Sequence, residues 1–518
     1  MSTRAGRKGK VKSGRAWGKP SVAGPWDVIV IGSGMGGMTA AALLSKVGKR
    51  VLVIEQHYTP GGFTHTFRRP GGFSWDVGVH AVGEVTPKSM TGRLLERLTD
   101  GGLAWASLGD VYDEFHYPGD FRIDFPDNPS QFRDNLVAAF PSERVAIDDY
   151  LARVRSVCAA IRPYYLARAL PHQLAPLADR TLARHAQRAF EERTAPTIRE
   201  VTRDARLATV LTSQWGYYGS VPSRSSFAMQ ALVTKHFLWG GYYPVGGSQR
   251  IAEELLGTVA RAGGWTRIAT SVERILVRDG KAHGVRLEDG EEITAPAVIS
   301  AVGVSQTLRR LLPDVVASRD WAREVKALPP APAHVCLYLG FEGDIRSAGA
   351  GAANKWFYEV WDSEADAWQV SPDSDSVPDA PVLYCSFPSL KDPTHEAGDP
   401  PKHTGEVVTF VPWSAFDQWR DTRWKRRGDD YDAFKARLTE KLQAQLLRHM
   451  PALGPMIRHA ELSTPLSTDT FCRPLRGSIY GLEPTPERFR CRWLRPRSPV
   501  PNLYFAGSEV ATVGGIGA

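Results

Sequence analysis

The stretch VIVIGSGMGGMTAAALLSKVGKRVLVIEQ, Val28 to Gln56, limits what this chain can fold into more than any other. An apolar run, Val28 to Ile31, meets Gly32-Ser33-Gly34-Met35-Gly36-Gly37. An alanine- and leucine-rich segment follows, then a second apolar run, Val51 to Ile54, that ends on Glu55. The order reads strand, tight turn, helix, strand, carboxylate. Gly32 lets the chain leave the strand sharply, Gly34 lets backbone approach a pyrophosphate, and Gly37 lets the helix pack close to the strand. The free N–H groups of the helix N-terminus then face the anion. Glu55 follows Gly37 by 18 residues, where a carboxylate accepts hydrogen bonds from ribose hydroxyls. The motif predicts a bound dinucleotide and by itself does not separate NAD from FAD.

A chain of 518 residues exceeds one ordinary hydrophobic core and predicts two domains, interleaved in sequence. The formal charge of +8 suggests nucleic acid until it is located. Arg4, Arg7, Lys8, Lys10, Lys12, Arg15 and Lys19 lie within residues 1–24, where no acid is present, so the remaining body is close to neutral and nucleic acid is not an expected partner. The segment 1–24 reads as a disordered basic arm with no apolar core of a secretory signal and no amphipathic pattern of a transit peptide. Its functional reading is weak attraction to an anionic membrane surface. Five scattered cysteines without CxxC spacing imply neither a disulfide framework nor a zinc site and fit a reducing compartment, the cytoplasm. No apolar stretch reaches the length of a membrane-spanning helix, so the chain is expected to be soluble or peripheral at a membrane. The oligomeric state is not legible.

Three separated pieces look nucleotide-related: 25–85, 246–325 and 490–518. The second contains SVERILVRDGKAHGVRLEDGEEITAPAVISAVG, residues 271–303, whose alternating strands flank Asp279-Gly280 and Asp289-Gly290 in the pattern of a β-meander. The third ends in NLYFAGSEVATVGGIGA, residues 502–518. Between these pieces, 86–245 is mostly helical in pattern, and 326–489 mixes strands, proline-rich loops and one clear helix carrying Phe434, Leu438, Leu442 and Leu446 on a single stripe.

With these pieces in order, the chain resembles the flavin-dependent amine-oxidase-like superfamily, and within it the branch of phytoene desaturases, carotenoid isomerases and retinol saturases. The residues that carry the resemblance are VIEQHYTPGGFTHTFRRPGGFSWDVGVHAVG (53–83), SSFAMQALVTKHFLWGGYYPVGGSQRIAEEL (225–255), SFPSLKDP (386–393), GSIYGLE (477–483) and the terminal LYFAGSEVATVGGIGA. The second block is most similar to retinol saturases and their bacterial relatives. Desaturases more often carry a basic residue just after the acid and an arginine after the paired glycines, where this chain has Gln56 and Phe63.

The resemblance implies an α/β fold. Its FAD-binding, Rossmann-like domain of glutathione-reductase type is assembled from 25–85, 246–325 and 490–518, with an interleaved α+β substrate domain from 86–245 and 326–489. It implies noncovalent FAD on Gly32, Ser33, Gly34, Gly36, Gly37, Glu55, Gln56, Gly61, Gly62 and Phe63, with backbone at Val272 near the adenine and Ala301 close to the cofactor. Gly507, Glu509, Gly515 and Ile516 complete the set, although relatives usually carry Asp where Glu509 stands. The paired Gly61-Gly62 speaks for FAD from the residues themselves, because a simple NAD site needs no second bare turn. No separate NAD(P) site is legible: SAGAGAAN, 347–354, follows a charged segment and lacks the third glycine, so NAD(P)H is expected at most as a transient electron donor. Relatives continue past the point where this chain stops at Ala518, with a further helix.

The flavin carries the hydride chemistry, and the protein has to bind, orient and exclude water. The implied reaction is redox at a carbon–carbon double bond of a hydrophobic polyene, by saturation of a retinol-like substrate or by desaturation or isomerisation of a carotenoid. The alternatives are a flavin amine or alcohol oxidase and a non-catalytic FAD-binding scaffold. His80, His236, Tyr243 and Tyr480 are the polar candidates for the catalytic site, and no metal spacing is present. A polyene is nearly insoluble, so an apolar mouth for loading from a bilayer is expected.

Overall fold

The computed structural model describes residues 16–511. Val28–Ile31 and Val51–Ile54 are parallel neighbours in one register, Val28 opposite Val51 and Ile31 opposite Ile54. Every residue of both strands is buried, as an all-apolar run requires when a parallel sheet is covered on both faces. Helix Met35–Lys46 crosses between them and buries Gly37, Met38, Ala41, Ala42 and Ser45, a stripe of small residues that brings it close to the sheet and to helix Gln249–Arg261.

The sheet has six strands in the order Trp17–Gly18, Trp265–Arg267, Val51–Ile54, Val28–Ile31, Ala297–Ser300, Leu503–Phe505, all parallel to their neighbours. Trp17–Gly18 corrects part of the expected arm: within 1–24, this pair forms the edge strand opposite Thr266 and Arg267. Arg50 ties the same segment down, its guanidinium donating to Ala23 O and Pro25 O and lying 4.5 Å over the Trp26 ring. Residues 1–15 lie outside the described residues. The meander stands beside this sheet as Val272–Arg278, Lys281–Leu287 and Glu292–Thr294. Asp279 and Gly280 both take positive φ, 51° and 75°, which a two-residue hairpin turn needs to match the strand twist.

A second sheet has seven strands, in the order Ile457–Ser463, Ala333–Glu342, Lys402–Val411, Val382–Ser386, Asn354–Tyr358, Val111–Tyr117, Phe121–Pro126. Its alternating side chains serve two layers. Leu383, Phe357 and Val407 join the core under helix Asp429–His449 with Phe434, Leu438, Leu442 and Leu446. Their sequence neighbours Tyr384, Trp356 and Val408 pack instead with helices Arg144–Ala169 and Phe227–Phe237. The hairpin Thr66–Arg69/Phe73–Asp76 leaves the first sheet and lies on the second. Trp75 Nε1 donates to Leu339 O at 2.9 Å, and the Phe73 ring fills the space a Cβ on Gly340 would need, 2.9 Å away.

Leu438 is fully buried in the layer beneath the seven-stranded sheet. Leu438→Ala should cost about 2–5 kcal/mol of stability by leaving a cavity, seen as a lowered unfolding midpoint with the near-ultraviolet circular dichroism of the folded state unchanged.

Candidate active site

The glycine turn is built from contacts that differ at each position. Gly32 takes φ 91°, and a Cβ there would stand 2.8 Å from Val302 Cγ1. A Cβ on Gly37 would stand 2.1 Å from Gly32 O, and one on Gly36 would stand 2.7 Å from Gly507 N and Cα. Around Gly34 a Cβ would meet nothing within 4 Å among the described residues; this glycine lines the cavity. The helix that starts after it has no side-chain N-cap and no acid in its first turn, so its leading N–H groups are available to an anion.

Glu55 is buried at the end of its strand. Its Oε2 accepts Ser33 N–H at 2.9 Å and the Ser33 hydroxyl at 2.7 Å, and its Oε1 accepts His57 N–H at 2.7 Å. Ser33 Oγ in turn accepts Gly61 N–H at 3.1 Å, which docks the second glycine turn against the first. A Cβ on Gly62 would lie 2.9 Å from Gly34 Cα.

One continuous cavity of 1510 Å³ starts at these residues. Gly32, Gly34, Gly36, Glu55, Gln56, Gly62 and Phe63 line it, as do Val272, Ala301, Gly507 and Glu509. Ser33, Gly37 and Gly61 stand behind that wall and hold it in shape. Glu509 Oε2 accepts Ser305 N–H at 2.8 Å, so its carboxylate is anchored to the turn after strand Ala297–Ser300. Gly515 and Ile516 lie outside the described residues. Part of its wall is apolar, made by Ile161, Met229, Leu232, Phe237, Trp356 and Phe410. Drug-sized ligands occupy pockets of about 300–1,000 Å³, a range this cavity exceeds.

The four polar candidates separate. His80, His236 and Tyr480 line the cavity, and Tyr243 does not. Tyr243 is buried and donates its hydroxyl to Asp76 Oδ2. Tyr480 donates to Gly216 O at 2.9 Å. His236 Nε2 accepts Gly83 N–H at 2.8 Å, and its Nδ1 faces Glu84 at 3.7 Å. His80 brings Nδ1 within 2.8 Å of Glu406 Oε2, without the alignment of a hydrogen bond.

Behind His80 lies a buried polar group that the sequence reading missed. Glu406 Oε1 accepts Asp76 N–H at 3.1 Å, and the Asp76 carboxylate also accepts the Ser248 hydroxyl. Lys391 Nζ donates to His80 O at 2.7 Å, to Ser386 Oγ at 2.7 Å and to Asn354 Oδ1. Asn354 Nδ2 and the Tyr217 hydroxyl donate to Asp113 Oδ1 at 2.9 and 2.8 Å. Burial pushes the carboxyl of Glu406 up to about 8 and that of Asp113 up to about 7, and pulls the Lys391 ammonium down to about 7. Burial, then the charge of Lys391, holds the His80 imidazole neutral. The available signals were small: Lys391 sits among apolar and small residues in SFPSLKDP, and Asp113 interrupts an apolar alternation in VYDEFHY. Ordinary strand alternation sets it on the buried face with Phe115 and Tyr117, two and four residues on.

A parallel sheet with a bare glycine turn and a strand-end carboxylate, opening into an apolar cavity under a second sheet, is the frame of a flavin-dependent oxidoreductase. The chain belongs to the family of flavin containing amine oxidoreductases, whose sequence profile matches residues 35–517. It is 31% identical over 513 residues to the all-trans-retinol 13,14-reductase of Danio rerio, covering 95% of this chain and 84% of that protein. It is 27% identical over 334 residues to the chloroplastic prolycopene isomerase of Daucus carota, covering 62% of this chain and 53% of that protein. Among solved structures, an oxidoreductase from Methanosarcina mazei shares the fold with TM-score 0.60 at 15% identity, covering 95% of this chain and 97% of that one.

Because nothing stands within 4 Å of a Cβ at Gly34, Gly34→Val should fold normally and fill the approach to the helix N-terminus. The expected result is loss of flavin absorbance in purified protein, with the unfolding midpoint of the unaltered protein stripped of flavin. Gly36→Val, which meets Gly507 backbone, should lower the midpoint as well.

Proposed function

We propose that this chain binds FAD noncovalently and uses it to act on a carbon–carbon double bond of a hydrophobic polyene, with saturation of a retinol-like substrate first and carotenoid desaturation or isomerisation as related outcomes. The observation that carries the reading is one continuous cavity lined both by Gly34 and Glu55 and by Met229, Phe237, Trp356 and Phe410. The names of the two curated relatives support the same substrate class. In this reading the six-stranded sheet, drawn from three chain segments, is the FAD domain, and the seven-stranded sheet with its helices is the interleaved substrate domain.

When bound, the flavin supplies hydride exchange. The chain's own residues do the rest. Backbone at Gly32 to Gly36 and the helix N-terminus would hold the pyrophosphate, and Glu55, oriented by Ser33 and His57, would accept from ribose hydroxyls. Backbone at Val272, which lines the cavity, would meet the adenine. The aromatic and aliphatic walls orient a long apolar chain and keep water from the reacting carbons.

The mouth of the cavity supports loading from an anionic bilayer. Leu43, Met90 and Leu94 line it and remain 45%, 60% and 38% exposed, flanked by Lys88, Arg93 and Arg162. No helix among the described residues is long and apolar enough to cross a membrane, so the contact we propose is peripheral. Each basic residue near an anionic surface contributes about 1 kcal/mol.

Flavin-loaded protein, reduced chemically under nitrogen and mixed with all-trans-retinol, should yield a dihydro product and reoxidised flavin absorbance. No product from any polyene, with peroxide released from an amine in air, would overturn the reading. Binding to vesicles containing phosphatidylserine should weaken with salt, and Met90→Glu with Leu94→Glu should remove the salt-resistant fraction. Equal binding by that variant would exclude the mouth as the contact.

A further inference from the structure

We propose that His80 and Glu406 form a proton relay: His80 Nε2–H gives a proton to the substrate double bond while the Glu406 carboxyl group replaces it at Nδ1. The proposal rests on the polyene reading above. Saturation of a double bond takes a hydride and a proton, and an apolar cavity offers few groups that can give the second. His80 Nδ1 and Glu406 Oε2 are 2.8 Å apart, and neither has a hydrogen-bond partner among the described residues. Both atoms are buried, and leaving two polar atoms unpaired there would cost a few kcal/mol; a small rotation that aligns the pair lets a shared proton remove that cost. His80 lines the cavity, and its Nε2 is not among the buried polar atoms left without a partner and has no hydrogen bond among the described residues. The Tyr384 ring stands edge-on to the imidazole at 5.1 Å and restricts its rotation.

A neutral imidazole N–H is a poor acid alone. Coupled to a carboxylic acid on its other nitrogen, it passes on a carboxyl proton and stays neutral throughout. The environment suits those protonation states: burial raises Glu406 and lowers His80. One new C–H bond takes the hydride and the other takes the Nε2 proton. The two electrons arrive with the hydride, from a reduced flavin. His80 ends as the Nδ1–H tautomer and Glu406 as a carboxylate, beside the Lys391 ammonium that already donates to His80 O. Reprotonation of Glu406 and the reverse tautomer shift reset the pair. Asp76, whose N–H holds Glu406 Oε1 at 3.1 Å, fixes the carboxyl plane as a positioning residue.

The test uses the flavin-loaded full chain with 15N-labelled histidine at pH 7, the His80 resonance being assigned by its loss in His80→Gln. The expected spectrum is the neutral Nε2–H tautomer, in the unaltered protein and in Glu406→Gln alike, because the glutamine amide still donates to Nδ1. Glu406→Gln should keep full flavin absorbance yet reduce retinol about 10²–10⁴-fold more slowly, the usual contribution of a positioned general acid. An imidazolium or an Nδ1–H tautomer in the unaltered protein overturns the relay, and so does an undiminished rate in Glu406→Gln. If the unaltered protein reduces no polyene, the substrate reading falls by itself, and the tautomer still judges the relay. If Glu406→Gln does not fold, the spectrum of the unaltered protein decides alone.

Discussion

The approach of Gly36 to Gly507 is the contact on which the cavity depends. A Cβ on Gly36 would stand 2.7 Å from the Gly507 backbone, so only bare backbone lets the turn after strand Val28–Ile31 meet the turn after strand Leu503–Phe505. Those strands flank Ala297–Ser300 on either side, and the three turns together make one wall. The second glycine pair closes the same wall, with a Cβ on Gly62 set to stand 2.9 Å from Gly34 Cα. Glycines that look alike in sequence therefore serve different ends. Gly36, Gly37 and Gly62 answer to other backbone, whereas a Cβ on Gly34 would meet nothing within 4 Å among the described residues.

The second sheet is fastened to this wall by one hairpin, and the fastening carries chemistry as well as packing. Phe73 and Trp75 insert against Gly340 and Leu339. Asp76 and His80, which follow directly, meet Glu406 and Lys391 from strand Lys402–Val411 and the loop before it. Three buried carboxyl groups, a lysine and a histidine are an expensive way to join two sheets, since desolvating each charge costs several kcal/mol and apolar replacements of the same shape would hold as well. Perturbed groups of this kind concentrate where a protein does chemistry, and this cluster ends at a cavity wall.

Helical and sheet periodicities were legible because local sequence alone imposes them. The stripe Phe434, Leu438, Leu442, Leu446 is a helix face whatever it packs on, and two Asp-Gly pairs between alternating strands turn a chain back on itself without outside help. Trp17 and Gly18 gave no such signal. Their strand exists because Trp265–Arg267 offers an open edge, and the basic residues around them mask it.

The sequence by itself determined the glycine turn, its strand and helix, the carboxylate at Glu55 and the family to which the chain belongs. All of these are written in residues close together or in blocks in a fixed order. It also named His80, without its partner. Only the tertiary structure decided which candidates share a cavity, setting Tyr243 behind the wall and His80 on it. Only the structure brought Glu406 and Lys391, more than 300 residues away in sequence, against the His80 segment. The physical reason is that burial sets the protonation of such groups, and burial is a property of the assembled sheets that no single segment contains.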